Sequence, residues 1–369
     1  MKYLSFLKIN RFVILSVLFV FLSATCLSAK EYPSFFRGVR PLGMGGAFTA
    51  VSDDENALFY NPAGLSKIST FQLGVFNPLI EVSEGSIDLF NDVQDANLDD
   101  TGETTDLMRK YVGEHQHARI LFPVSPYVGF NVSNVGIMIS GGGQGTMDVE
   151  IRNPIWPEAH VNLLGDAWIM GGAGAKLPLN GLSVGGNLKY IQRESLNEVY
   201  TAADIAADDF EDRLDDDRKS GNGITMDIGA IYRLPLESEF KTDLGLSIQN
   251  LFESDMGDAE DLKRSVNLGV AVERSFGGFK AIGAFDIMDI TRNFDEDDDF
   301  MKRIHMGAEV QFPTILALRA GFNQGYLSAG ATADFWALRL DFATYGEEVG
   351  AYSGQREDRR YVGQLTLGW

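Results

Sequence analysis

Residues 361–369 read Tyr-Val-Gly-Gln-Leu-Thr-Leu-Gly-Trp, and most apolar members of this run stand at every second position. Side chains alternate between the two faces of a β-strand, so Tyr361, Leu365, Leu367 and Trp369 share one face. The stretch therefore predicts a strand with one apolar face. If the same pattern recurs along the chain, it decides the fold.

The two-residue period does recur throughout the chain after residue 70. In residues 182–190, Leu, Val, Gly, Leu and Tyr alternate with Ser, Gly, Asn and Lys, and similar runs span 266–273 and 338–343. Such alternation is typical of strands whose two faces meet different surroundings. The fourteen candidate strands, an even number as in single-chain bacterial barrels, lie near 70–80, 117–133, 135–149, 161–177, 182–200, 222–235, 242–251, 264–275, 279–291, 302–312, 315–324, 326–336, 337–347 and 359–369.

The connection lengths favour a barrel over a soluble β-sandwich, which also alternates. Membrane barrels have short turns on one side and longer loops on the other. Here the first, third, fifth, seventh and ninth connections are long, whereas the second, fourth, eighth and tenth are tight. The sequence therefore predicts an all-β fold, a 14-stranded antiparallel transmembrane β-barrel over residues 70–369 with outer-membrane lipid around its wall.

The last strand also resembles the C-terminal signal that the bacterial barrel-assembly machinery reads. That signal is amphipathic and ends on an aromatic residue, as this chain does at Trp369. The predicted barrel-assembly signal is Trp369, Leu367, Leu365 and Tyr361. The alternative is that the terminal Trp serves packing alone.

Residues 1–29 have the layout of a secretory signal peptide, with Lys2, Lys8 and Arg11 before an uncharged apolar run and small residues at its end. A membrane anchor is the alternative, because the run approaches the length that spans a bilayer. Cleavage after residue 29 removes Cys26, the single cysteine, and with it any disulfide or thiolate metal site. The net charge of −21 argues against nucleic acid as a partner. We therefore expect export to the bacterial outer membrane.

Residues 30–69 differ from the rest of the chain because turn-forming residues dominate them. Their pattern predicts short turns and helical pieces instead of long strands. The run Gly43-Met44-Gly45-Gly46 is not a phosphate-binding loop, since no strand precedes it and no Gly-Lys-Ser/Thr follows it.

Three elements of this region resemble the N-terminal signature of the FadL/TodX hydrophobic-compound transporters and the related PorV/PorQ barrels. They are residues 40–48 (Arg-Pro-Leu-Gly-Met-Gly-Gly-Ala-Phe), 53–54 (Asp-Asp) and 60–65 (Tyr-Asn-Pro-Ala-Gly-Leu). The resemblance implies a 14-stranded barrel whose lumen is closed by an N-terminal hatch, here residues 30–69. It assigns the hatch motif to Gly43, Gly45, Gly46, Asn61, Pro62 and Ala63. These residues either build the plug alone or also contact a ligand.

Charged side chains at the strand positions that alternate with the apolar ones form a second set of candidate site residues. We expect them to face the lumen, because charge is costly against hydrocarbon. The possible lumen or ligand contacts are Arg319, Arg339, Asp341, Glu309 and His305. One interpretation is that they pair with one another or hold the hatch. The other is that one arginine binds the carboxylate of a ligand.

The sequence carries few of the residue patterns that are typical of catalytic sites. There is no Gly-x-Ser-x-Gly elbow, and His115 and His117 lack a third metal ligand nearby, so we interpret them as a solvated loop end. Acidic runs such as residues 208–217 are interpreted as solvated outer loops, with Ca²⁺ or Mg²⁺ binding as the alternative. We predict no enzyme activity, no metal and no cofactor.

Two functions follow from the resemblance. The leading hypothesis is passive uptake of a hydrophobic or amphipathic small molecule, of the fatty-acid or hydrocarbon class. The alternative is a PorV/PorQ-like protein-interaction role with a secretion partner, for which residues 81–116 and 201–221 offer docking loops.

Pro123 and Pro126 interrupt the second candidate strand, and proline cannot donate to a β ladder. We predict a wall break there, at which a ligand leaves sideways as the transporter resemblance implies. Amide hydrogen exchange at residues 121–128 should be faster than in the rest of that strand. Exchange as slow as in the surrounding wall would contradict the break.

Overall fold

A computed structural model describes residues 34–68, 71–252, 254–293 and 299–368. The predicted signal peptide and Trp369 lie outside the described residues. The described strands belong to one sheet of sixteen segments. They are β1 (Phe71–Phe76), β2 (Leu79–Ser83), β3 (His115–Leu121), β4 (Tyr127–Val132), β5 (Val135–Arg152), β6 (Glu158–Lys176), β7 (Leu182–Thr201), β8 (Lys219–Arg233), β9 (Lys241–Gln249), β10 (Ser265–Phe276), β11 (Phe279–Ile287), β12 (Ile304–Gln311), β13 (Leu316–Asn323), β14 (Tyr326–Phe335), β15 (Leu338–Glu348) and β16 (Glu357–Gly368).

The sheet closes on itself because the last segment pairs with the first two. Gly368 of β16 lies opposite Gly74 of β1, and Gly363 of β16 lies opposite Ile80 of β2. Segments β1 and β2 thus form one stave, and β3 and β4, which both pair with β5, form the next. With two staves split in this way, the sixteen segments make a closed antiparallel barrel of fourteen staves. The predicted fold class is confirmed.

The wall has an apolar outer face and a polar inner face. Along β13, exposed Leu316, Leu318 and Phe322 alternate with buried Arg319 and Asn323. An exposed band of large apolar side chains is the surface that a membrane barrel presents to hydrocarbon, whereas its charges point inward. The period-two pattern in the sequence therefore corresponds to the apolar outer face and the polar inner face of the wall.

The third connection is shorter than the sequence predicted. It spans only residues 153–157, because β5 and β6 continue as a paired hairpin up to the pair of Arg152 and Glu158. Ile151 and Ala159 near its tip are buried against Met108 of the first connection. Packing against the first connection stabilises the end of this hairpin. The prediction of a long third connection was therefore wrong.

The helices of the described residues are short and lie outside the wall ladder. They are α1 (Val39–Gly43), α2 (Ala57–Tyr60), α3 (Ser86–Asp95), α4 (Thr101–Lys110), α5 (Ala202–Ile205), α6 (Phe210–Asp217) and two 3₁₀ helices (Pro62–Lys67 and Phe300–Arg303). None of the helices in the described ranges is long and apolar enough to cross a bilayer.

The N-terminal segment, residues 34–68, packs inside the barrel. It contacts inward-facing glycines of the staves from Gly136 on β5 round to Gly330 on β14. Its Met44 and Phe48 side chains are fully buried. A segment this short reaches so many staves only from within the ring.

This packing predicts that a single methyl group on the inner wall disturbs the N-terminal segment. A Cβ added at Gly174 would lie 2.6 Å from the Pro62 carbonyl oxygen. We expect Gly174→Ala to destabilise the docked segment by about 1–3 kcal/mol through overpacking. Limited proteolysis should cleave the segment faster in this variant.

Gly283→Ala is the matched control, because a Cβ there meets no atom within 4 Å. Equal proteolysis of both variants would contradict the docking.

Candidate functional site

The glycines of the predicted hatch motif approach the wall closely. A Cβ on Gly43 would lie 3.1 Å from the Cα of Gly330, and one on Gly45 would lie 2.4 Å from the carbonyl oxygen of Phe322. Gly45 also has a φ of +64°, which disfavours other residues. Because neither position has room for a side chain, the backbone of the N-terminal segment lies directly on the wall.

Asn61 connects the N-terminal segment to itself and to the wall. It caps the following 3₁₀ helix by accepting from the Ala63 amide, at 3.2 Å. Its amide nitrogen Nδ2 donates to the carbonyl oxygens of Thr49 (2.8 Å), Ala230 (3.4 Å) and Leu246 (3.3 Å). One fully buried side chain thereby satisfies backbone groups on two wall strands.

The wall side of this contact was not predicted from the sequence. Inward-facing glycines line the path of the N-terminal segment, and an added Cβ on each would lie within about 3 Å of the segment. They are Gly136, Gly172, Gly174, Gly185, Gly229, Gly245, Gly269, Gly307, Gly321 and Gly330. The signal available in the sequence was the recurrence of glycine on the inward parity of successive strands.

Buried ion pairs hold the same segment. Arg40 donates to both carboxylate oxygens of Glu309 on β12 at 2.8 Å each, and its other side meets Asp53 and Asp54 at 2.6 and 2.7 Å. Burial alone would raise the pKa of Asp53, but Arg40 and Lys280 outweigh it and hold that pKa well below its usual range. Asp53 therefore stays ionised within the lumen.

The five predicted lumen residues are all placed inside and engaged by the protein. The Nε of Arg319 lies 2.5 Å from Glu309, and the Nε of Arg339 lies 2.9 Å from Asp341. Arg339 also pairs with Glu55 of the N-terminal segment. The Nδ1 of His305 lies 2.8 Å from the Gly45 carbonyl oxygen. These residues pair with one another and with the N-terminal segment, and the binding of a ligand carboxylate stays a prediction.

His115 and His117 are not a solvated loop end. His117 is buried, with Nδ1 2.7 Å from Asp148 and Nε2 3.0 Å from Glu81, while His115 Nδ1 lies 3.1 Å from Asp358. The interpretation from spacing was wrong because the closing strands bring distant carboxylates to these imidazoles. In the described part of the chain, no group of three or more His, Cys, Asp or Glu side chains is arranged to hold a metal ion.

Three cavities follow one another along the lumen. The outer cavity, about 410 Å³, opens among the long connections, and the lower cavity, about 270 Å³, lies at the rim with the short turns. Between them is an inner cavity of about 30 Å³. It shares Phe36 and Phe59 with the outer cavity, and Glu55 and Arg339 with the lower one.

An aromatic cluster separates the outer and inner cavities. Phe36 and Phe59 stack with ring centroids 4.0 Å apart. Trp168 of β6 meets Phe35, Phe36 and Phe59 edge-on, at centroid distances of 5.6, 6.2 and 6.1 Å. Three of these rings belong to the N-terminal segment and one belongs to the wall. No spacing in the sequence indicated that they would be in contact.

The inner cavity borders a place where two staves are interrupted. We call it the wall break: residues 122–126, between β3 and β4, and residues 77–78, between β1 and β2. Pro123 and Pro126 both lie in it. The amide of Asn77 donates to the Pro123 carbonyl oxygen at 2.9 Å, so hydrogen bonds outside the regular ladder join the two interruptions.

Among the comparisons with known proteins, the solved structures bear on the architecture. The family model "F plasmid transfer operon, TraF, protein" matches residues 171–334. No curated protein matches the chain. The solved toluene transporter TbuX of Ralstonia pickettii is 10% identical with a TM-score of 0.54, over 90% of this chain and 98% of that one.

Two further solved structures are similar to this chain over most of its length, again at low sequence identity. The CymD monoaromatic hydrocarbon channel is 11% identical with a TM-score of 0.51, over 92% of this chain and 97% of its own. A FadL homologue of Pseudomonas aeruginosa is 10% identical with a TM-score of 0.49, over 92% and 99%. The likeness to TbuX and CymD confirms the fold that the FadL/TodX resemblance implied, and the PorV/PorQ part of that resemblance stays a prediction.

The contacts of Asn61 predict that its amide nitrogen is required. Asn61→Asp keeps the shape and the cap but replaces the donor with an oxygen that faces three carbonyl oxygens. We expect a loss of about 3 kcal/mol in the stability of the docked segment, measured by urea denaturation.

Asn153→Asp is the control, because only the side-chain oxygen of Asn153 is used, by the amides of Ile155 and Trp156. If Asn61→Asp were as stable as this control, the role of the Asn61 amide would be refuted.

Proposed function

We propose that this chain is an outer-membrane channel for the passive uptake of small hydrophobic or amphipathic molecules. The ligand enters the outer cavity, passes the aromatic cluster into the inner cavity, and leaves sideways at the wall break. No chemical step is involved. The fold shared with the toluene transporter TbuX and the hydrocarbon channel CymD supports transport as the class of activity.

One observation carries the proposal: the inner cavity joins the aromatic cluster to the wall break. Its lining includes Phe36, Phe59 and Trp168 of the aromatic cluster. It also includes Ser125, in the wall break, and Tyr127, beside it. Aromatic side chains offer a large apolar contact area to a ligand that has left water. The wall break is the nearest place where regular strand pairing is absent.

The firm attachment of the N-terminal segment supports a route beside it. To leave the lumen, the segment would have to break the ion pairs of Arg40 and the hydrogen bonds of Asn61. Removing one partner of a buried ion pair costs about 3–5 kcal/mol. Rotation of a few aromatic side chains costs much less, so the aromatic cluster is the proposed gate and the N-terminal segment the fixed hatch.

The protein-interaction alternative has no comparable support. The first connection carries helices α3 and α4, and the fifth carries α5 and α6, but nothing in their contacts selects a partner. A PorV/PorQ-like secretion role therefore stays a prediction from resemblance.

Uptake by cells tests the proposed route. In a bacterial strain without its own hydrophobic-compound channel, expression of this chain should raise the uptake of labelled ethylbenzene above that of the empty vector. A Cβ at Gly142 would lie 2.6 Å from Ser125 Oγ and 2.9 Å from Trp168 Cζ2, so the methyl group of Gly142→Ala crowds these two side chains at the inner end of the wall break. We expect a fall in uptake of about tenfold, the effect of about 1.4 kcal/mol on a barrier.

The matched control is the neighbouring Gly141→Ala, whose Cβ meets only the Trp168 carbonyl oxygen, at 3.5 Å. Full uptake by Gly142→Ala would place the route elsewhere, and no uptake above the empty vector by the unmodified chain would refute the channel.

A further inference from the structure

A buried hydrogen-bond donor in the inner cavity has no partner. The indole nitrogen Nε1 of Trp168 makes no hydrogen bond, although the residue is only 6% exposed. A buried tryptophan N–H usually finds an acceptor, because an unmade hydrogen bond costs free energy. The N–H has almost no accessible surface, so a molecule reaches it by displacing the side chains around the inner cavity, and then meets a donor with an unmade hydrogen bond.

The position of the indole ring places this donor beside the proposed exit. A Cβ at Gly142 would lie 2.9 Å from Trp168 Cζ2 and 2.6 Å from Ser125 Oγ. Nε1 is two bonds from Cζ2 on the same edge of the indole. The indole edge of Trp168 and the side chain of Ser125 thus pack together over Gly142, and the donor edge of Trp168 lies against the inner side of the wall break.

A second unpartnered group lines the same cavity. The hydroxyl of Thr366 on β16 has no hydrogen bond and the residue is 4% exposed. A tryptophan N–H only donates, whereas a threonine hydroxyl donates or accepts. A single hydrogen-bond acceptor in the inner cavity matches both the Trp168 N–H and the Thr366 hydroxyl, because each of them donates.

The charges around the cavity decide whether that acceptor is ionised. Glu55 and Arg339 are the charged residues that line it, and they form an ion pair with each other. A closed pair offers no net charge to compensate a buried carboxylate, which would be costly to desolvate. The acceptor is therefore neutral.

We propose that the permeating molecule is an apolar compound with one neutral acceptor oxygen, such as a ketone, aldehyde, ether or alcohol, and that Trp168 Nε1 donates to that oxygen beside the wall break. The inference rests on the proposed uptake function and names its substrate class. A plain hydrocarbon would pass the same aromatic cluster but leave the donor unpaired.

A matched pair of probes tests the class. Acetophenone and α-methylstyrene have nearly the same shape, and differ in a carbonyl oxygen in place of a methylene group. Uptake of both is measured in cells that produce the full chain, and the ratio of the two initial rates is compared after subtraction of the empty-vector rate. One added hydrogen bond predicts a preference for acetophenone of about fivefold.

Two replacements remove the polar groups without a change of shape. Trp168 replaced by β-(3-benzothienyl)alanine loses the N–H, and Thr366→Val loses the hydroxyl. Thr344→Val is the control, because its hydroxyl is also buried and unpartnered but does not line the inner cavity. Each protein is first shown to fold by its heat-dependent electrophoretic mobility.

The expected result is that the preference disappears with the Trp168 replacement, weakens with Thr366→Val and persists with Thr344→Val. Equal uptake of both probes by the unmodified chain would overturn the substrate class while leaving the uptake function intact, since an ordered water then satisfies Trp168 and Thr366. Preference that survives the Trp168 replacement would overturn the donor role. If neither probe enters above the empty vector, the uptake function itself fails and the inference with it.

Discussion

The structure depends on the need to satisfy buried backbone groups of an irregular segment inside a closed wall. A strand places its own N–H and C=O groups in the ladder, but turns and short helices leave several of theirs unpaired. In the N-terminal segment the wall supplies the missing partners. Asp286 of β11 accepts from the amides of Phe48 and Thr49 at 2.7 Å each, and Asn187 of β7 donates to the Leu58 carbonyl oxygen at 2.6 Å.

This requirement explains why polar side chains and glycines occur together on the inner wall, at the level where the N-terminal segment packs. Glycines let the backbone of the segment come close enough for wall side chains to reach it. Charged side chains then pair across the contact, as Lys67 does with Asp243 at 3.1 Å. Burial makes such pairs costly to break, so the N-terminal segment has one well-defined position, and the proposed ligand route runs beside it.

The sequence predicted the features that repeat along the chain. The period-two pattern and the short turns of residues 30–69 follow from local chemistry, which a single segment already shows, and the even number of strands follows from counting the repeats. Features that depend on which distant residues meet were not predictable. Trp168 meets Phe35, Phe36 and Phe59 only because the segment is docked, and His117 meets Glu81 and Asp148 only because the staves pair in register.

The most direct test of the account is to locate a ligand in the protein by diffraction. Crystals grown with a bromine-labelled aromatic ketone give an anomalous signal at the bromine atom. We expect a signal between the aromatic cluster and the wall break, with Asn61 and Arg40 still in their contacts with the wall. A signal in the space that Met44 and Phe48 now fill, with the N-terminal segment displaced, would contradict it.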